Sequence, residues 1–156
     1  MQPITIRSAV PADLDPIVAF QRAMARETED KDLDLARVTR GVRAALQPSD
    51  GRDRGAYFVA ERDGQVLASI MTTYEWSDWR DGWFWWIQSV YVVPAARGRG
   101  IYRALYEHVL RRAHEAGDVC GVRLYVETEN ERARAVYERL GMRRAHYHMY
   151  EVDFVL

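Results

Sequence analysis

Apolar and polar residues alternate at the start of the chain, where Thr5 separates Ile4 from Ile6 and Arg7 follows, a period of two that predicts a first strand. Pro11, Asp13 and Asp15 supply helix-start chemistry, and Ile17, Phe20 and Met24 then recur at spacings of three and four, so a helix is predicted to about Arg26. The polar, acidic run Glu27 to Asp34 reads as a loop. Leu35, Val38, Val42, Ala45 and Leu46 restart the helical period, which stops before Pro48 and a turn-rich connection, Ser49 to Gly55. Tyr57 to Arg62 and Val66 to Tyr74 read as strands around Asp63-Gly64, a pair suited to the positive φ angles of a type I′ hairpin turn. After a loop at Trp76 to Gly82, the aromatic and β-branched stretch Trp83 to Val93, ended by Pro94, predicts a central strand.

From Gly100 a helical stripe runs through Tyr102, Leu105, Tyr106, Val109, Leu110 and Ala113 to Ala116, with Gly117 as its C-cap. Val122 to Glu127 reads as another strand. Ala133, Val136, Tyr137 and Leu140 give one more helical face, closed by Gly141, and Arg143 to Val155 is aromatic-rich and strand-like. Hairpin connections first and helical crossovers later predict an α/β (mixed α+β) fold. The expected architecture is a central mixed, mostly antiparallel twisted sheet of six to seven strands with about four flanking helices, in which Trp83–Val93 and Val122–Glu127 run parallel. With no repeat or linker, residues 1–156 read as a single domain.

Composition narrows the partners. Net charge is −1, with 22 basic and 23 acidic residues interspersed, so no global field recruits nucleic acid or an anionic membrane. No stretch reaches the roughly 18 apolar residues of a membrane helix. Cys120 is the only cysteine, which excludes an internal disulfide framework and a multi-Cys metal site, and a cytoplasmic setting is the natural expectation.

Arg97-Gly98-Arg99-Gly100 stands between the strongest strand and a helix. Unpaired N–H groups and the dipole at such a helix start hold anions, glycine permits close approach, and Arg97, Arg99 and Arg103 add donors suited to phosphate oxygens. A plain tight turn with solvated arginines explains the same residues. A Walker A loop would need Gly-Lys-Ser/Thr, which is absent, and a dinucleotide fingerprint beginning at Gly98 fails because Arg103 occupies its third glycine position. An RNA-binding Arg-Gly box would lie in basic low-complexity sequence, unlike this ordered pattern.

The run Val90-Tyr91-Val92-Val93-Pro94-Ala95-Ala96-Arg97-Gly98-Arg99-Gly100-Ile101 resembles the hallmark of the GNAT family of N-acetyltransferases, a strand followed by Arg/Gln-x-x-Gly-x-Gly/Ala opening a helix. The resemblance implies that the backbone of Val90, Tyr91 and Val92 lies beside the pantetheine arm of acetyl-CoA. It also implies that amides from Gly98 through Arg99, Gly100, Ile101 and Tyr102 to Arg103 bind the pyrophosphate, with the two parallel strands splayed around the acetyl-CoA site. Tyr102 departs from the family's small residue there. Asn130 to Met142 resembles the second signature of Asn, Ala, Tyr and Gly-Phe, with Met142 for Phe. By periodicity alone Tyr137 is a core residue and Asn130 an N-cap. The resemblance makes Asn130 a pantetheine contact and Tyr137 the general acid. A phenol of pKa about 10 can protonate a departing thiolate whose thiol has pKa about 8.5.

Trp76, Trp79, Trp83, Trp85 and Trp86 are all five tryptophans, clustered with Tyr74 and Phe84, and serve either as strand packing or as walls of a groove. Carboxylates beside aromatic walls suit a cationic amine, so Glu75 is the first choice of base and Glu127 the second, whereas Glu27 and Glu29 read as a solvated loop. The expected function is direct attack of a primary amine, small-molecule or protein-borne, on acetyl-CoA, with no metal and no acetyl-cysteine at Cys120. A homodimer through an aromatic edge is a further expectation. The alternative from another class is a non-catalytic acyl-CoA sensor.

Overall fold

The computed structural model describes residues 3–48, 51 and 53–155; of the expected first strand and the Ser49–Gly55 connection, Met1, Gln2, Ser49, Asp50 and Arg52 lie outside the described residues. Two compact units emerge, Met1–Tyr125 and Val126–Leu156, each taken separately below.

The first unit is a five-stranded sheet in chain order: β1 (Thr5–Ser8), β2 (Ala56–Arg62), β3 (Gln65–Ser77), β4 (Gly82–Val92) and β5 (Val119–Leu124). Pairing is antiparallel from β1 to β4 and parallel between β4 and β5. Asp63 and Gly64 both adopt positive φ, 52° and 74°, as the hairpin turn between β2 and β3 requires. Helices α1 (Leu14–Glu29) and α2 (Leu35–Leu46) cover one face, where Ile17, Val18 and Val42 pack on Tyr57 and Val59. Helix α3 (Ile101–Ala116) covers the other, where His108 packs on Phe58 with ring centroids 4.9 Å apart. The short β1 is fastened by Arg7, whose guanidinium bonds both Glu61 of β2 and the buried carboxylate of Asp13. Those hydrogen bonds hold the Asp13 carboxyl below its ordinary range, against the opposing effect of burial.

Strand β4 is not regular. Met71 of β3 faces Ser89, yet the next residue, Thr72, faces Ile87, so Gln88 is an extra residue bulged out of the ladder. The bulge brings the even-numbered Phe84 and Trp86 and the odd-numbered Ser89 and Tyr91 onto the same face, the one bearing α1. Pairing with β5 ends at Ile87↔Leu124, one residue before the bulge, while β4 continues to Val92.

The second unit contains α4 (Glu131–Arg139). No strand occurs in 143–155, so the described residues hold five strands and four α-helices where six to seven strands were expected. Aromatic and β-branched content marks a segment able to pair, but a strand exists only where a neighbour accepts its ladder. Boundaries also moved: α1 runs through Glu27 to Glu29, β3 continues through Trp76 to Ser77 where a loop was expected, and β5 ends at Leu124 rather than Glu127 and begins at Val119 rather than Val122. Gly121 makes the latter start possible, since a Cβ there would stand 2.7 Å from the ring of Phe84.

Candidate functional site

The chain leaves β4 through a single 3-10 turn, Pro94–Ala96, whose Ala96 is buried, and reaches two left-handed glycines, Gly98 and Gly100, at φ 74° and 77°. Gly100 is the N-cap of α3 and no side chain caps the helix. As in any helix, the first amides lie ahead of the i→i−4 ladder, whose first bond is Ala104 N–H to the Gly100 carbonyl, 3.0 Å. A Cβ built on Gly98 or Gly100 would meet nothing within 4 Å. The space at both Cβ positions is open, and a helix N-terminus beside such space can accept an anion. Arg99 and Arg103 are exposed, while the ring of Tyr102 stacks along the helix on Tyr106, 6.3 Å between centroids.

Arg97 is already engaged. Its Nε donates to the Val92 carbonyl at 2.8 Å, and its Nη2 to Glu27 Oε2 at 2.7 Å. The other oxygen of Glu27 accepts the Tyr91 hydroxyl at 2.8 Å. Hydrogen bonds from Arg97 first and Tyr91 second hold the Glu27 carboxyl below its ordinary value, whereas burial and the neighbouring carboxylate push the Tyr91 phenol up. Expected to be a solvated loop residue, Glu27 instead closes the last turn of α1 onto β4 and the glycine turn. Its partners lie 64 and 70 residues away, a separation no local sequence signal spans.

Glu75 lies opposite Phe84, at the start of β4, eight residues and roughly 26 Å of strand before Val92. Both its oxygens are held, Oε1 by Arg123 at 2.9 Å and Oε2 by the Trp86 indole N–H at 3.1 Å. The Arg123 guanidinium lies 3.5 Å from the Phe84 ring centroid. Beside them Gln88, the bulged residue, donates to Thr73 at 2.8 Å and accepts the Tyr125 hydroxyl at 3.2 Å. Arg123, Gln88 and Tyr125 were not singled out from the sequence, because only the register brings them to Glu75 and Trp86. The tryptophans divide: Trp79 and Trp76 are exposed, while Trp83, Trp85 and Trp86 are half-buried.

In the second unit Asn130 caps α4, its side chain accepting the Ala133 amide at 3.1 Å. Glu127 turns its carboxylate onto the Glu129 amide at 2.7 Å. Tyr137 is half-buried on α4, and burial pushes its phenol above the ordinary value. Among the described residues no cluster of His, Cys, Asp or Glu is arranged to hold a metal, and no helix is long and apolar enough to cross a membrane.

The mostly antiparallel sheet with one parallel pair, bulged at Gln88 and followed by a glycine turn and a helix without a side-chain cap, is an arrangement shared with a solved structure of a possible acetyltransferase. The model of the acetyltransferase (GNAT) family matches residues 19–142, and the chain belongs to that family. A mycothiol acetyltransferase of Amycolatopsis mediterranei is 35% identical over 147 residues, covering 90% of this chain and 46% of the relative. One from Beutenbergia cavernae is 43% identical over 79 residues, 51% of this chain and 25% of the relative. The chain thus spans about half or less of the length of these curated relatives. A possible acetyltransferase from Clostridium difficile 630 superposes with TM-score 0.89 at 44% identity, over 99% of this chain and 100% of that one.

Proposed function

We propose that this chain transfers the acetyl group of acetyl-CoA to a primary amine, which attacks the thioester directly. The observation that carries the reading is the turn itself. Two positive-φ glycines with open space above them start an uncapped helix, immediately after a strand that has lost its β5 partner from the bulge onward. Amides from Gly98 to Arg103 hold the pyrophosphate, Arg99 and Arg103 add positive charge, and the backbone of Val90, Tyr91 and Val92 accompanies the pantetheine arm. Acetyl-CoA supplies an activated acyl group. The protein's part is to orient it, take a proton from the amine and return one to sulfur.

As the N–C bond forms and the C–S bond breaks, the amine proton passes to a carboxylate directly or through water. The thiolate takes a proton from the Tyr137 hydroxyl. Glu75 is the first candidate for the carboxylate, since it is a solvent-exposed residue that shares a sheet face with the aromatic side chain of Trp86 and is held in place by the Trp86 and Arg123 bonds. Glu127 is second. A phenol raised by burial stays protonated through neutral pH, as an acid must. The acceptor is a small-molecule amine or a protein amino group, and the two units act as one acetyltransferase domain. Family membership and the 44% identical possible acetyltransferase support the reading.

Thiol release measured over an amine panel tests it. Release is expected only when acetyl-CoA and an amine are both present. Saturable acetyl-CoA binding with no turnover across the panel would instead identify an acyl-CoA sensor.

A further inference from the structure

Arg97 begins the glycine turn, yet its guanidinium is committed before any ligand arrives: Nε to the Val92 carbonyl and Nη2 to Glu27, with the Tyr91 ring centroid 5.3 Å from its Cζ. The Val92 bond folds the turn back onto the end of β4. The Glu27 bond then fixes that fold to α1, and the same carboxylate takes the hydroxyl of buried Tyr91. Nearby, Phe20 packs on Tyr91 with centroids 5.3 Å apart, and Gln21 donates to Ser89 at 3.0 Å. Helix α1 is thus fastened to the cofactor-side half of β4 by side chains spaced along its length. Only Glu27 reaches past the strand to the turn.

We infer that Glu27 is a positioning residue for acetyl-CoA: it holds Arg97 and Tyr91 so that the glycine turn presents its amides, and it keeps Arg97 off the phosphates. The inference rests on the acetyltransferase reading. Phosphate contact is then left to the α3 amides, Arg99 and Arg103. The opposite arrangement, in which Glu27 merely competes with phosphate for Arg97, predicts an effect of opposite sign.

The test compares the unsubstituted chain with Glu27→Ala, Glu27→Gln, Arg97→Ala and the Glu27→Ala/Arg97→Ala pair. Acetyl-CoA affinity is read by calorimetry, steady-state constants for both substrates by thiol release, and Tm by scanning calorimetry. Each alanine variant is expected to weaken acetyl-CoA binding about fivefold, and the pair no more than either alone, because the two residues act as one brace. The rise falls on KM for acetyl-CoA, with kcat and the acceptor KM within about twofold, and Glu27→Gln recovers most of the loss because an amide oxygen still accepts a hydrogen bond. Tm should move little, since both side chains are about two-fifths exposed. Tighter acetyl-CoA binding by Glu27→Ala, unchanged affinity, or additive losses in the pair would each overturn the inference while leaving the acetyltransferase reading intact. Failure of the unsubstituted chain to bind acetyl-CoA would overturn both.

Discussion

Replacing Gly98 or Gly100 by alanine separates the energetic cost of the turn from its use. Each residue lies in the left-handed region, at φ 74° and 77°, and a Cβ on either would touch nothing within 4 Å. The only structural penalty is therefore conformational, about 1–2 kcal/mol for an L residue. In a chain of this size that lowers Tm by about 2–8 °C. Gly64 provides the control: its φ is also 74°, its Cβ also enters open space, and it lies in the β2–β3 hairpin far along the chain from the turn. All three alanine variants should lose similar stability in scanning calorimetry. On the proposed function, only those at Gly98 and Gly100 put a methyl group in the path of a phosphate oxygen approaching the amides. Losing one or two charge-assisted bonds of about 1.5–3 kcal/mol each corresponds to at least a tenfold weaker Kd for acetyl-CoA by isothermal calorimetry. Equal affinity in the Gly98→Ala, Gly100→Ala and Gly64→Ala proteins would refute the turn as a pyrophosphate site. A Tm loss well beyond 8 °C confined to the two turn variants would show that these glycines serve packing instead.

Tyr137→Phe should lower kcat by about 10²-fold or more while acetyl-CoA affinity changes little, and unchanged kcat in single-turnover measurements would remove Tyr137 from the acid role. Glu75→Gln should depress kcat/KM for the amine by about 10²-fold, whereas Glu127→Gln, whose carboxylate serves its own turn, should stay near the parent value; the reverse ranking would move the base to the second unit. Asp13→Asn should cost about 2 kcal/mol at pH 7, because the nearly buried carboxylate makes charge-assisted hydrogen bonds to Arg7, whose side chain is one-third exposed. The sign with pH follows from its depressed folded value: the contribution is complete above the unfolded pKa near 4 and fades as acid protonates the native carboxylate. The Tm gap between the two proteins should therefore narrow below about pH 4, and a gap independent of pH would assign the loss to packing.

What the chain announces locally is what local chemistry determines. Asp63-Gly64 needs no partner to favour its turn, Gly117 ends α3 in the left-handed conformation, and the Gly98–Gly100 pair is recognisable from spacing. The identity of the central strand and the parallel relation of β4 to β5 also follow from patterning. Contacts made across the sheet are another matter. Nothing around Glu27 distinguishes it from its acidic neighbours until Tyr91 and Arg97 are folded against α1, and nothing in Arg97 reveals that its charge is spoken for. Glu75 was recognisable as a carboxylate among aromatic residues. Its pairing with Arg123, which offsets the negative charge imagined for a cation site, depends on the β4–β5 register. The start of β5 depends on a ring lying over a glycine, and Arg143 to Val155 carries strand-forming side chains yet forms no strand among the described residues.

The bulge at Gln88 has a consequence for how this strand tolerates change in length. Because two residues there stand opposite one, a chain shortened by Gln88 alone would keep every other side chain of β4 on its present face, with Trp86 and Ser89 as ordinary alternate neighbours. Such a strand would alternate without interruption against β3. Substitution at Gln88 alters a side chain, whereas its deletion removes the offset between the two halves of β4, so the irregularity is written in the number of residues rather than in their kind.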